Sequence, residues 1–334
     1  LSSGAFAATP SKILVMKVSV ALASYNGARF IDEQLASLAA QTRLPDELVV
    51  CDDGSTDDTL AHVERFAAAA PFEVRIVRNQ QNLGFSGNFQ RVLALVGGDI
   101  VFICDQDDIW YPDKIDIALA ALEADPSAAL VVNDEHLMDA EGRRLDATFL
   151  GNVRKLGYPD SYHCAGCCTA MRRDYLDLAL PLGAPINYDL WMSNLADFLG
   201  LKRVLDAPLQ LYRRHGDNST VTVLAEEQAS LWRLFRAYGL SDPRREWRIQ
   251  IDALNAYRSR IEERPALAER LAGRDGVTRA LARIGEETDR LARRLALLDK
   301  PRPARLPSIL KLWSGGFYRN FSGGKSAIKD ILRA

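Results

Sequence analysis

The sequence predicts an α/β protein with a mostly parallel sheet, and three observations carry that reading. Short apolar runs alternate with segments of helical period between residues 17 and 125, which is the pattern of βαβ units. Two of those runs, Glu47 to Cys51 and Val101 to Cys104, end directly in aspartates. Ligands of open α/β sheets sit outside the carboxyl ends of the strands, where these acids fall. The pattern then changes after Val132, and from about Val223 the chain reads as helical. A sheet domain over residues 16–222 and a helical region over 223–334 are therefore expected.

Composition sets the class. A chain of 334 residues can form one large domain or a domain with an appendage. With 48% hydrophobic and 26% charged residues, it has the make-up of a globular protein. No run approaches the ~18 apolar residues of a spanning helix, and no nucleic-acid partner is expected. The net charge of -2 hides an asymmetry, because the segment after Leu224 holds about nine more basic than acidic residues. Cys51 and Cys104 end expected core strands, so the cysteines read as reduced thiols of a cytoplasmic protein. Cys164-x-x-Cys167-Cys168 hints at zinc, but no second cysteine or histidine pair supports it. Residues 1–15 lack a basic start and a long apolar core, and read as a leader ahead of a native start at Met16.

In chain order, Val18 to Ser24 is a strand, and Tyr25-Asn26-Gly27 is the turn after it. A helix follows with Ile31, Leu35 and Leu38 on one face. Glu47 to Cys51 is the second strand, running into Asp52-Asp53-Gly54-Ser55-Thr56-Asp57. There Asp-Gly makes a turn, and Ser55 or Thr56 can cap a helix beginning near Asp57. Glu73 to Arg78 is a third strand, Asn79 to Gly84 a polar loop, and a helix from about Phe85 turns Phe89, Val92 and Leu93 inward. After the Val101 to Cys104 strand, a helix runs from Pro112 to about Glu123.

Later segments read less regularly. Asp139 to Gly142 is a turn between short strands, Gly151 to Pro159 a loop, and Cys164 to Met171 an apolar run of small residues. Gly166 there allows either close approach of a ligand or tight packing. Asn187-Tyr188-Asp189 opens a helix with Leu190, Leu195 and Leu199 on its apolar face. A short strand around Leu209 to Tyr212 leads to Arg213-Arg214-His215. Helical segments follow at Leu231 to Phe235, Leu254 to Tyr257 and Leu281 to Leu298, and Arg302 to Arg305 ends the last. The tail from Lys300 interleaves basic residues with Trp313, Phe317, Tyr318 and Phe321. It suits either an anionic membrane surface or an ordinary docking helix.

The chemistry centres on Val101-Phe-Ile-Cys-Asp105-Gln-Asp107-Asp108-Ile-Trp110. Asp105 and Asp107 are two apart, which in an extended segment points both at one ligand or ion. Carboxylate oxygens suit Mg²⁺ or Mn²⁺, often shared with substrate phosphates. An acidic turn capping the helix that Pro112 opens explains the same residues. The chain has no Gly-x-Gly-x-x-Gly and no Walker lysine loop, so carboxylates and a cation would have to manage any phosphate.

Taken together, the motifs resemble a known family. Val20-Ala-Leu-Ala-Ser-Tyr-Asn26-Gly, Asp52-Asp-Gly-Ser-Thr-Asp57, Asn82-Leu-Gly84, Asp105-Gln-Asp-Asp108 and Tyr188-Asp189-Leu-Trp191 occur in that order. The series is similar to the inverting family-two glycosyltransferases of GT-A fold, a mixed sheet flanked by helices. Asp-Gln-Asp-Asp-Ile-Trp and Tyr212 to Asn218 resemble the bacterial rhamnosyltransferase-like branch. The resemblance covers about residues 17–220.

It implies roles residue by residue. Tyr25 and Asp53 would hold the nucleobase with Asp52 nearby, and Asn82 and Gly84 would belong to the same nucleotide site. Asp105 would contact the ribose or the metal, Asp107 would ligate Mn²⁺ or Mg²⁺ on the diphosphate, and His215 would sit close to that metal. Asp108, Gly166 and Trp191 would line the donor or acceptor site, and Asp189 would be the catalytic base, although capping explains an aspartate there too. The implied partners are a nucleotide-sugar donor, dTDP-L-rhamnose first, and a saccharide acceptor such as a lipid-linked surface glycan. The implied place is the cytoplasm or the inner face of the membrane. The Gln-x-x-Arg-Trp signature of processive members is missing after Asp189, which implies one or very few sugars added per encounter. A metal-dependent nucleotidyltransferase and a non-catalytic sugar-nucleotide binder are the competing readings. The first usually needs a glycine- and lysine-rich loop where this chain has Ser24 to Arg29, and the second needs no base.

Overall fold

The computed structural model describes residues 16–183, 186–215, 242–314, 317 and 330–331. The first half is regular: β1 (Val18–Ser24), α1 (Ile31–Ala39), β2 (Glu47–Asp52), α2 (Thr59–Ala67), β3 (Glu73–Arg78), α3 (Gly84–Leu95) and β4 (Ile100–Cys104). Then come β5 (Ile109–Trp110), α4 (Lys114–Ala124), β6 (Leu130–Met138), β7 (Arg144–Thr148), α5 (Phe149–Lys155), β8 (Thr169–Arg172), α6 (Arg173–Ala179), α7 (Tyr188–Phe198) and β9 (Lys202–Arg213). Helices α8 (Arg244–Glu263), α9 (Pro265–Leu298) and α10 (Arg302–Ser314) follow among the described residues.

The strands form one nine-stranded sheet in the order β3-β2-β1-β4-β8-β6-β9-β5, with β7 paired to β6. Strands β3, β2, β1 and β4 run parallel. Strand β8 is antiparallel to both β4 and β6, and β9 returns parallel to β6. The sheet is thus mixed, with its parallel half where the βαβ pattern predicts it.

Alternation along the strands makes the two cores. Val18, Val20 and Leu22 face one apolar cluster with Ile31, Leu35 and Leu38 of α1 and Ile115 and Leu119 of α4. Ala21 points to the opposite face, into a cluster holding Phe89 and Val92 of α3, Leu176 of α6 and Leu195 of α7. The carboxy-terminal helices join that second cluster through Leu254, Tyr257 and Ile284. Trp191 of α7 stacks on Tyr257 of α8, with ring centroids 5.0 Å apart. Arg260 donates to the carbonyls of Leu178 and Ala179 at 3.2 and 2.8 Å. The helical region therefore braces α6 and α7 from behind.

Several segments differ from the sequence expectation. The stretch read as a loop from Gly151 begins within α5, whose Thr148 side chain accepts from Gly151 N at 3.0 Å. Leu150 and Val153 bury there against Leu137, contacts that local sequence does not announce. The short strand at Leu209 to Tyr212 is the end of the 12-residue β9. Arg302 to Arg305 opens α10 instead of ending α9. Helix α9 turns sharply at Gly273 (φ +70°), in a region that L side chains avoid. The leader reading of residues 1–15, the boundary at 222 and the Leu231 to Phe235 segment lie outside the described residues.

Candidate active site

A cleft of about 620 Å³ opens at the carboxyl ends of β1, β2 and β4. Strand order reverses there, since β2 and β3 lie to one side of β1 and β4 to the other. That is the switch point at which open sheets take their ligands. Tyr25, Asp53, Asn82, Gly84, Asp105, Asp107 and His215 all line this cleft. The topology thus brings together seven residues that the sequence spreads over nearly 200 positions.

The β1 and β2 loops are tied to each other before any ligand arrives. Asp57 accepts from Ala28 N at 3.1 Å, Thr59 Oγ1 accepts from Gly27 N at 2.8 Å, and Ser55 Oγ accepts from Asn26 N at 2.9 Å. In return the Asn26 side chain accepts from Thr56 N at 2.9 Å. Asn26 adopts φ +48°, a left-handed conformation that asparagine tolerates better than most residues. The turn leaves Tyr25 half-exposed at the mouth of the cleft (49%).

Asp53 is nearly buried and holds the third loop. Its carboxylate accepts from Leu83 N, Gly84 N and Asn79 Nδ2 at 2.8, 2.9 and 2.7 Å, while Asn82 Nδ2 donates to its carbonyl at 3.1 Å. Gly84 has φ +74°, so glycine suits the bend that brings both amides to one carboxylate. Asp53 thus shapes the β2 side of the cleft as well as lining it.

On the β4 side, His215 Nε2 and Asp107 Oδ2 are 2.8 Å apart, with both side chains mostly buried. Arg213 fixes this corner by donating to the Asp107 carbonyl and to Glu33 at 2.9 Å each. Burial, with the charges of Asp107, Asp189 and Glu135, pushes the Asp105 carboxyl well above the usual range. Such a concentration of like charge favours protonation or a cation. The donors fit Mn²⁺ or Mg²⁺, being carboxylate oxygens with one imidazole. The expected ligand set is nonetheless only partly gathered. Among the described residues, the carboxylates and thiols within one ion's reach are Asp105, Asp108 and Cys167, and separately Glu135, Cys167 and Cys168.

The opposite wall is aromatic. Tyr188 stacks on Phe89 with centroids 4.0 Å apart and meets Phe85 at 5.2 Å, and both phenylalanines line the cleft. Asp189 follows in the first turn of α7, half-buried, with Oδ1 accepting from Leu190 N at 2.7 Å. Burial raises its carboxyl from 3.8 to about 6. Asp189 does not line the cleft itself, but it is close enough for its charge to act on Asp105.

Residues 19–178 match the Glycosyl transferase family 2 profile. Over that stretch, just under half of the chain, the sequence is similar to the family 2 glycosyl transferases. An uncharacterized glycosyltransferase of Nostoc is 27% identical over 234 residues, 64% of this chain and 70% of that one. The dTDP-rhamnosyl transferase RfbG of Shigella flexneri is 38% identical over 105 residues, which are 30% of this chain and 36% of RfbG. The S. aureus TarS structure in complex with UDP-GlcNAc superimposes with a TM-score of 0.50 at 20% identity, over 83% of this chain and 90% of that one. That likeness establishes a GT-A-type fold for the transferase domain.

Within this transferase domain, four residues expected at the ligand lie elsewhere. Asp52 is fully buried, and its carboxylate accepts from Gly54 N, Ser55 N and Ser24 Oγ at 3.1, 2.9 and 3.1 Å, so it builds the turn instead of facing a nucleobase. Asp108 is buried behind the cleft, accepting from Gln210 Nε2 at 3.0 Å and Arg213 N at 3.2 Å. Gly166 packs against Tyr188, whose Oη would lie 2.0 Å from an added Cβ. Trp191 is a core residue, 1% exposed, with Nε1 donating to the Ala179 carbonyl at 2.9 Å.

Other functional neighbours escaped sequence reasoning. Lys114 is fully buried beneath the acids, donating to the Cys167 carbonyl at 2.7 Å and to Gln210 Oε1. Burial lowers its pKa. Glu135, on β6, accepts from Cys168 Sγ at 2.8 Å, and burial pushes it up to about 7. Its signal was available, since Asn133-Asp134-Glu135 interrupts an apolar strand. All five cysteines are unpaired, with Cys167 and Cys168 in this network.

Proposed function

We propose that the chain is a metal-dependent inverting glycosyltransferase that moves one sugar from a nucleoside diphosphate donor onto a saccharide acceptor. The observation that carries this reading is the single cleft shared by the Tyr25–Asp53 loops and the Asp105–Asp107–His215 corner. A base and sugar phosphate need such adjacent but chemically different ends. Asp105, Asp107 and His215 would hold Mn²⁺ or Mg²⁺. The bound cation would neutralise charge growing on the departing diphosphate.

Asp189 is the proposed base. An acceptor hydroxyl attacks C1 of the sugar, and the carboxylate takes the hydroxyl proton as the new C1–O bond forms and the C1–O bond to the diphosphate breaks, releasing the nucleoside diphosphate. A single displacement inverts C1 and needs one carboxylate only. A carboxyl raised to about 6 is ionised at neutral pH yet basic enough to accept a proton. Tyr25 would cover the nucleobase, with Asp53, Asn82 and Gly84 forming the loop beside it.

The donor assigned is dTDP-L-rhamnose and the acceptor a bacterial surface glycan, on the partial similarity to RfbG and the Asp-Gln-Asp-Asp-Ile-Trp motif. With a lipid-linked acceptor, the reaction belongs at the inner face of the cytoplasmic membrane. A panel of nucleotide sugars measured by thermal shift with Mn²⁺ tests the assignment, because a bound donor stabilises the fold by mass action. Stabilisation by dTDP-rhamnose above UDP-glucose and GDP-mannose supports it. The reverse order overturns the rhamnose donor.

A further inference from the structure

We propose that the outer face of α10 is a docking surface for an anionic lipid bilayer. The helix presents two opposite faces. Ile309 and Leu312 turn inward and share an apolar cluster with Leu297, Phe317 and Ile331. Arg305 is buried beside them and donates to the carbonyls of Lys300 and Leu298 at 2.8 and 2.9 Å. The inner face therefore fixes α10 to the body of the protein.

On the outer face Leu306, Leu310 and Trp313 are 50%, 60% and 51% exposed. Their spacing of four and three residues sets them in one stripe. Among the described residues, three of the eight large exposed hydrophobic side chains stand on this one helix. Scattered exposure of single apolar side chains is ordinary, but a stripe marks a contact.

Charge decides what the contact is. Residues 300–334 hold eight Lys and Arg against one acid, Asp330. That acid is fully buried and paired with Arg294 at 2.6 Å, so it gives the outer face no negative charge. Lys311 is exposed directly beside Leu310. An apolar stripe beside exposed Lys311, in a segment whose sequence is strongly basic, complements a surface that is apolar within and anionic at its edge. Trp313 suits the interfacial depth of such a surface. No helix among the described residues is long and apolar enough to cross a membrane, so α10 lies in the plane of the interface.

The test is sedimentation of the full chain with phosphatidylcholine vesicles and with vesicles that also contain phosphatidylglycerol. It needs neither donor nor acceptor, so its outcome is independent of the proposed transfer reaction. Pelleting is expected with the anionic vesicles only, and should fall as salt rises. Leu310→Glu and Trp313→Glu should each weaken partitioning roughly tenfold or more, with unchanged melting curves because both side chains are exposed. No pelleting with anionic vesicles, or pelleting that neither substitution alters, overturns the proposal. Self-association that Leu310→Glu abolishes would assign the face to a second copy of the chain, and would overturn it as well.

Discussion

Gln106 and Tyr25 are joined by a two-way hydrogen bond, Tyr25 N to Gln106 Oε1 at 2.9 Å and Gln106 Nε2 to the Tyr25 carbonyl at 3.0 Å. One side chain thereby closes on the backbone of the opposite loop as a strand would. The pair couples the Tyr25 end of the cleft to its acidic end. Gly27 completes the fit, because a Cβ there would lie 2.2 Å from Gln106 Oε1.

Gln106→Ala removes both bonds, each worth about 1 kcal/mol where partly solvated. Nucleotide affinity should fall roughly tenfold, with only a small change in the melting temperature. Isothermal titration with the free nucleoside diphosphate checks it. Unchanged affinity would mean that Tyr25 takes no part in holding the base.

Removal of divalent cations should abolish sugar transfer, and Mn²⁺ or Mg²⁺ should restore it. Asp107→Asn keeps the shape of the side chain but weakens a hard-cation site. Transfer should fall by two or more orders of magnitude while the fold persists, a loss on the scale of one electrostatic stabiliser. Full turnover in excess chelator contradicts the metal assignment.

The Asp189 carboxyl gives a dependence on pH. Its base function requires ionisation, so kcat/KM should rise about tenfold per pH unit below about 6 and level off above it. Stability moves the other way. A carboxyl that binds its proton more tightly when folded favours the folded state at low pH, and that contribution is lost as pH rises from 3.8 through about 6. Asp189→Asn should therefore melt no lower than the parent at pH 7, and the parent should gain on the variant as pH falls through that window. Melting curves at several pH values check the sign.

How much was legible in the sequence followed from how local each cause is. Strands β1 and β3 were readable from seven and six residues of pattern, because β1 is buried almost throughout and the burial of β3 alternates along the chain. Strand β5 was not, since its two residues form a strand only by pairing Ile109 with Leu211 and Trp110 with Gln210. The same distinction divides the site. Tyr25, Asp53, Asp105 and Asp107 follow strand ends, and strand ends alone place them at the cleft. Asp108 is turned inward by Gln210 and Arg213, more than 100 residues away. Gly166 and Trp191 looked like parts of a ligand wall, but their neighbours, Tyr188 and Tyr257, make them packing positions.

The central claim is that Asp189 is the base of a transferase, and not only a carboxylate at a helix start. The most direct measurement is the transfer rate of Asp189→Asn, taken with its melting curve and donor affinity on one preparation. Asn187 is the N-cap of α7, and an asparagine at 189 could still accept the Leu190 N–H through its amide oxygen, so a structural role leaves all three nearly unchanged. The account predicts unchanged donor affinity, a melting temperature no lower than the parent's, and a transfer rate reduced by about two to four orders of magnitude. A variant that transfers sugar at close to the parental rate would contradict it.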